Sequence, residues 1–357
     1  MNLEQTHDLR RWWDLAVAPV QAEGLRLAIE LGVLDALEEA ASAEALAQRL
    51  ALHPVGTAQL LELLWSMGVL ERERDGGDAG LCRDDSMTYR LEAGARTYLT
   101  DRSTLSCAEA WLFRLRSMRT VVDSLGEYVR RGPSPAKRPF SAEHGPSGGA
   151  AQWAAAARVQ IAQEQRAVTA PAADEVMTRL PEFARARRLL DLGGGPGLVA
   201  IALAERHPDL RGVVFDFPET VDVAASNIAA RGLEGRLSTQ GGDLAAGDIG
   251  TDYDLVWCSS VLHFVPDIEV ALRKILAALQ PGGVLVAVQA ELPQAREAAR
   301  SVVPWYLPLR MLERQVTREG ELAAAMARVG FERIEQFASG QFPMAVQQVV
   351  VARRAAP

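Results

Sequence analysis

The stretch from Leu189 to Asp216, LLDLGGGPGLVAIALAERHPDLRGVVFD, constrains the fold more than any other part of the chain. Leu189 and Leu190 read as the end of a buried strand, with Asp191 at its edge. Gly193, Gly194, Gly195 and Gly197 follow as a turn whose backbone approaches a ligand without interference from a Cβ. Leu198 to Glu205 reads as a helix and Gly212 to Phe215 as the next strand. Asp216 closes that strand about 20 residues beyond the turn, where a carboxylate can accept both ribose hydroxyls in the crevice of a doubly wound sheet. The unit is a βαβ that points to a nucleotide-bearing cofactor.

At 357 residues the chain is long enough for two domains, each with its own core. Its net charge of −8 gives no basic field for nucleic acid or anionic lipid, which favours a small-molecule partner. The N-terminal run MNLEQTHDLRRWW lacks an apolar signal core, and no apolar run approaches a membrane span, so a cytoplasmic protein is expected. Cys82, Cys107 and Cys258 are odd in number and far apart, which suits ordinary reduced thiols.

Residues 8 to 100 read as helical and then β. Leu25, Ile29, Val33, Leu34 and Leu37 give an amphipathic helical pattern that Gly32 divides. Ser42 is placed to cap a second helix, and Pro54 to Met67 reads as a third. Val69 to Glu73 and Met87 to Leu91, around a tip at Asp75 to Gly80, read as a hairpin. Helices followed by a hairpin make a winged-helix arrangement. The candidate recognition segment HPVGTAQLLELLWSMG contains no Arg or Lys, which argues against a DNA reader. Residues 103 to 130 continue as helix with Trp111, Leu112, Leu115, Met118 and Val122 as the expected buried stripe. Gly132 to Gly149 reads as a linker, and Ala150 to Leu180 returns to helix. The second half alternates strand and helix, which predicts a mostly parallel sheet with an antiparallel edge strand.

Spacing separates this turn from a dinucleotide site. Dinucleotide enzymes use G-x-G-x-x-G, whereas Asp191-x-Gly193-x-Gly195-x-Gly197 matches the D/E-x-G-x-G-x-G signature of S-adenosylmethionine (SAM) methyltransferases. Set side by side, LLDLGGGPG, VVFDFPETV, GGDL, VLHFVPD and LQPGGVLVAVQAELP resemble the small-molecule O-methyltransferases of the plant caffeate and bacterial polyketide type. The resemblance covers nearly the whole chain, as motifs in the second half and as a pattern in the first. It implies an α/β fold: a Rossmann-like seven-stranded sheet behind an N-terminal, mainly helical winged-helix dimerisation domain. The expected parts are residues 1–102 for dimerisation, 103–180 as connector and substrate-pocket helices, and 181–357 as the SAM-binding domain. It further implies that Asp191, Gly193, Gly195 and Gly197 surround the cofactor, that Asp216 binds the ribose and that Phe217 covers the cofactor. Asp243 and Leu244 would flank the adenine, and Cys258 and Ser259 would close the pocket.

His263 falls between a strand and a helix at the ligand edge of the sheet, in the motif Val261-Leu262-His263-Phe264-Val265. The family uses this histidine as a general base. A phenol titrates near about 10 and an imidazole near about 6.5, so a positioned ring can take the proton as the methyl group transfers, an effect of about 10²- to 10⁴-fold. The glutamate that the family sets beside the histidine maps to Gln289, counting back from Pro293. The second family glutamate maps to Glu321, counting back from Gly330-Phe331, although Glu321 equally suits a helix N-terminus, as does Asp267. The segment Met311 to Thr317 is compressed, with Val316-Thr317 in place of an R-T pair. Cys258, Ser259 and Ser260 stand where metal-dependent relatives gather carboxylates, so no metal is expected. Trp153, Phe264, Trp305, Tyr306 and Met311 are candidate walls of an apolar acceptor pocket. The expected activity is methyl transfer from SAM to a hydroxyl of a small aromatic secondary metabolite, by a homodimer. The alternatives are N- or C-methylation, a SAM-binding lyase or cyclase, and a DNA-binding regulator.

Overall fold

The computed structural model describes residues 6–74, 87–133 and 146–356. The tip at Asp75 to Gly80, Cys82, and residues 134–145 of the expected linker, with His144, lie outside the described residues. Two compact units divide the chain, Met1–Arg116 and Ser117–Pro357.

The first unit opens with α1 (Arg10–Glu30) and the single turn α2 (Val33–Ala36), divided at Gly32, whose φ of 69° suits a residue without a Cβ. A short β1 (Ala41–Ser42) leads into α3 (Ala43–Leu50), capped by the Ser42 hydroxyl, which accepts from the Ala45 amide at 3.2 Å. After α4 (Pro54–Ser66), β2 (Leu70–Arg74) pairs antiparallel with β3 (Met87–Leu91), and β1 adds to the other side of β3. A short α5 (Ala93–Tyr98) precedes α6 (Ala108–Arg131), which runs across the unit boundary. Leu25, Ala28, Leu34, Leu46, Leu61 and Leu64 form the core of this unit. Trp12 (50 % exposed) and Trp13 (67 %) leave α1 with an uncovered apolar face, along with Leu15 and Val20. The stripe expected on α6 stops short: Leu112 is buried, but Val122 is exposed.

In the second unit, α7 (Pro146–Arg158) and α8 (Gln160–Glu164) run into a π-helical turn, Gln165–Thr169, and then α9 (Ala170–Thr178). The alternating series follows: β4 (Arg188–Leu192), α10 (Leu198–Arg206), β5 (Arg211–Asp216), α11 (Pro218–Ala230), β6 (Leu237–Gly241) and β7 (Tyr253–Ser259). It ends with α12 (Ile268–Ala278), β8 (Leu279–Gln289), α13 (Arg296–Met311), α14 (Glu321–Val329), β9 (Glu332–Ser339) and β10 (Gln347–Arg353). The seven strands lie in the order β6-β5-β4-β7-β8-β10-β9. Neighbours from β6 to β8 are parallel, while β10 is antiparallel to both β8 and β9. The antiparallel element is therefore a pair, and β10 is interior. Its run Val349 to Ala352 is buried on both faces, as an inner strand requires.

Successive residues along the strands serve two cores. Leu189, Trp257, Val286 and Val351 pack toward residues of α9, α10 and α11, whereas Leu190, Val256, Leu285 and Val350 pack toward α12 and α14. The strand order reverses between β4 and β7, so the crevice for ligands opens at their carboxyl ends. The glycine turn follows β4, and His263 follows β7.

Candidate active site

Backbone bonds wrap the glycine turn over the end of β5. The Gly193 and Gly194 amides donate to the Phe215 carbonyl at 2.7 and 3.2 Å, and the Gly195 amide donates to Asp216 Oδ2 at 2.9 Å. Gly193 has φ of 68°, and a Cβ there would come within 2.2 Å of Val261 Cγ2. Space and dihedral both demand glycine.

Asp216 also takes the Phe217 amide on Oδ1 at 2.7 Å. Asp191, 1 % exposed, turns back toward α10, where Oδ2 accepts from the Ala200 amide at 3.2 Å. Burial raises both carboxyls above the ordinary range, and Asp191, further repelled by Asp216, is pushed up to about 7. Among the described residues no Lys or Arg pairs with either group. Two desolvated carboxylates beside a turn open to backbone approach suit a cofactor that is cationic and carries a ribose, which SAM is.

Phe217 sits half-buried just before α11, its carbonyl accepting from the Thr220 and Val221 amides. Asp243 is exposed and closes its own turn, Oδ1 accepting from the Ala245 amide at 2.9 Å. The Leu244 side chain is buried, and its carbonyl accepts from Lys274 Nζ at 2.6 Å. Cys258 lies near the carboxyl end of β7. Its thiol is buried in the core with Leu190, Leu192 and Val256, and burial pushes its pKa up to about 12. The half-buried Ser259 follows it at the end of β7.

At the other side of the crevice, His263 is 1 % exposed. Its Nδ1 lies 2.7 Å from the Gln315 carbonyl, and the Gln315 amide donates back to the His263 carbonyl at 3.2 Å. A carbonyl can only accept, so Nδ1 carries the proton and Nε2 is left with a lone pair. Among the described residues Nε2 has no hydrogen-bond partner although it is buried. Burial holds the ring's pKa below the ordinary imidazole value, with the Gln315 bond offsetting part of the shift. The ring of Tyr306 lies 5.3 Å away, and Trp153 packs edge-on to Phe264 at 5.2 Å. Trp305 packs against the small cluster that contains Tyr306. Met311 is half-buried at the end of α13.

Neither candidate supporter of the histidine hydrogen-bonds its ring. Gln289, 1 % exposed, donates through Nε2 to Thr317 Oγ1 at 3.2 Å, and the bond that fixes the His263 ring comes from Gln315 instead. Glu321 is exposed at the start of α14 and accepts from the Arg318 amide at 2.7 Å, which is a helix-end role. The carboxylate buried in this region is Glu291, which takes the Gly320 amide at 2.8 Å, the Leu322 amide at 2.9 Å and Gln336 Nε2 at 2.9 Å. Asp267 caps α12 through the Val270 amide at 3.0 Å. Among the described residues no three or more His, Cys, Asp or Glu side chains are grouped to hold a metal. Nor is any described helix long and apolar enough to cross a membrane.

Residues 123–332 match the O-methyltransferase domain model, and residues 13–101 match the O-methyltransferase dimerisation domain model. A curated relative is the 3-hydroxy-5-methyl-1-naphthoate 3-O-methyltransferase of Streptomyces sahachiroi, 28 % identical over 76 % of this chain and 74 % of its own. The N,N-dimethyltransferase OxyT of Streptomyces rimosus is 28 % identical over 76 % of this chain and 75 % of its own. Human N-acetylserotonin methyltransferase, solved with SAM, has a TM-score of 0.74 at 23 % identity, covering 100 % of both chains. It shares the fold. The chain thus belongs to the family of SAM-dependent O-methyltransferases that carry an O-methyltransferase domain behind a dimerisation domain.

Proposed function

We propose that this chain methylates a hydroxyl of a small aromatic metabolite, with His263 as the general base. One observation carries the reading: a buried histidine whose Nδ1–H is committed to a backbone carbonyl, leaving an unprotonated, unpartnered Nε2 at the ligand edge of the sheet. When bound, SAM supplies an electrophilic methyl group on a sulfonium. The chain's residues do the rest. Asp216 accepts from the ribose hydroxyls, and Gly193 and Gly195 admit the amino-acid end. Asp191 holds the turn against α10, Phe217 covers the cofactor, and Asp243 with Leu244 borders the adenine. Cys258 and Ser259 close the pocket. Phe264, Trp153, Tyr306 and Trp305 offer apolar surface to an aromatic ring. His263 Nε2 takes the hydroxyl proton as the oxygen gains the methyl, and the neutral ring needs no carboxylate to begin that step.

Residues 1–102 are assigned to dimerisation, 103–180 to the connector and acceptor-pocket helices, and 181–357 to the cofactor domain. A homodimer would cover Trp12, Trp13, Leu15 and Val20 on α1. Light scattering at micromolar concentration tests this, a monomer being the contrary result. The few, scattered cysteines favour the cytosol as the place of the reaction.

The acceptor is tested by incubating the protein with SAM and a panel of phenols, hydroxynaphthoates and amines, with products read by mass. O-methylated aromatics are expected. The similarity to an N,N-dimethyltransferase gives one specific second reading, N-methylation, and products formed only from the amines would replace the hydroxyl reading with it.

A further inference from the structure

The glycine turn is held from a second side by a residue that no motif marks. Gln165, 8 % exposed, donates through Nε2 to the Gly194 carbonyl at 3.0 Å and accepts through Oε1 from the Leu198 amide at 3.0 Å. The two partners fix which end of the amide is which. Leu198 opens α10, so its amide belongs to the first turn, where no carbonyl of the helix reaches it. One side chain therefore spans the turn, bonding before and after Gly195, whose own amide goes to Asp216. A Cβ on Gly195 would sit 3.6 Å from Gln165 Nε2 and 3.5 Å from Ile161 Cγ2, so the segment that carries these two residues lies against the turn.

Gln165 begins the π-helical turn Gln165–Thr169 between α8 and α9. Such a turn carries one more residue per hydrogen-bonded ring than an α-helix, so it rotates side chains before it relative to those after it, and it recurs at functional sites. Here it allows α9 to pack on α10 while Gln165 reaches the cofactor turn.

We infer that Gln165 is a positioning residue for SAM: it holds Gly194 to Leu198 in the binding shape before the cofactor arrives. The inference rests on the SAM site proposed above. A glutamine is suited to the task because one planar group must donate to a carbonyl and accept from an amide at once. Asn is one methylene shorter, Leu can do neither, and ionised Glu can only accept, which sets a carboxylate oxygen against the Gly194 carbonyl.

The test is a titration of the full-length protein with SAM, comparing wild type, Gln165→Leu and Gln165→Glu, with melting of each variant followed in parallel. Gln165→Leu should weaken SAM about tenfold or more, raising KM for SAM with a smaller change in kcat. Gln165→Glu gives a signature that a purely structural role would not. Its neutral carboxyl restores donor and acceptor, so its dissociation constant relative to wild type should fall toward unity as pH drops. Asp191 and Asp216 also face this turn, and Glu164 beside it is bound by Gln160 Nε2 at 2.7 Å. The ratio to wild type removes what is common to both proteins. If Gln165→Leu does not fold, the pH course of Gln165→Glu decides alone. Wild-type affinity in the variants, or a ratio for Gln165→Glu that is flat with pH, overturns the inference. A wild type that does not bind SAM would instead overturn the cofactor assignment beneath it.

Discussion

The two sides of the crevice are built by different means. On the β4–β5 side, the turn is held by hydrogen bonds among near neighbours in the fold: Gly193, Gly194 and Gly195 to the end of β5, and Asp191 to the first turn of α10. On the β7 side, His263 is fixed by Gln315, 52 residues away, and by packing against Tyr306. The proposed cofactor side is thus a backbone cradle around buried carboxyls, and the proposed acceptor side presents a buried, unpartnered ring nitrogen among aromatic side chains. Rigid cradles suit a ligand that is always the same; apolar walls suit acceptors that differ from one relative to the next.

If the sides divide the labour in this way, substitutions on each should read out differently. The largest effect is expected on the acceptor side, where His263→Ala should lower the turnover rate by about 10²-fold or more with SAM affinity nearly intact. Single-turnover methyl transfer and a SAM titration on the same preparation check it, and equal losses in both would erase the distinction. Next comes the cofactor side. Asp216→Ala should weaken SAM by about tenfold or more while the variant stays folded, through loss of a charge-assisted hydrogen bond worth about 1.5–3 kcal/mol. Unchanged affinity by calorimetry would remove Asp216 from the ribose role.

A smaller effect sharpens the electrostatic part of the comparison. Asp191 has a pKa raised to about 7, so near neutral pH a fraction of the apo protein holds a proton there. A cationic ligand favours the charged carboxylate and lowers that pKa, so binding should release protons, and SAM affinity should weaken as pH falls below about 7. Calorimetry in buffers of different ionisation enthalpy reads the proton release. It should be larger for SAM than for S-adenosylhomocysteine, which lacks the sulfonium charge; the same release for both would refute the argument. The smallest effect belongs outside both sides. Glu321→Ala should cost about 1 kcal/mol of stability as a lost helix-end partner and leave the transfer rate unchanged. A large rate loss would return Glu321 to the chemistry.

The cofactor side was legible in the sequence because its determinants are local. Glycine spacing, an apolar strand and a carboxylate about 20 residues on define the βαβ without knowledge of the rest of the fold. Gln165 is not legible even there, since nothing in QEQRAVT announces a π-helical turn aimed at a glycine 29 residues ahead. On the acceptor side His263 was legible from its place after a strand, but its partner was not. Counting back from Pro293 and from Gly330 selected Gln289 and Glu321, whereas the ring is held by a main-chain carbonyl, for which side-chain identity is no guide. The signal that pointed near it was the compressed segment Met311 to Thr317, which contains Gln315. In the sheet, the alternation of strand and helix gave the parallel part, while the interior place of β10 depends on pairing with β8 that sequence order hides.

The central claim, that His263 Nε2 accepts the proton of the acceptor hydroxyl, is tested most directly by the pH dependence of single-turnover methyl transfer at saturating SAM, for wild type beside His263→Ala. A protonated ring cannot accept, so the wild-type rate should fall as pH drops through the histidine's pKa, which burial places below the usual imidazole range. The account predicts that this inflection is present in wild type and gone from His263→Ala, whose rate is low throughout. The same inflection in both proteins, or near-wild-type rates in the variant, would contradict it.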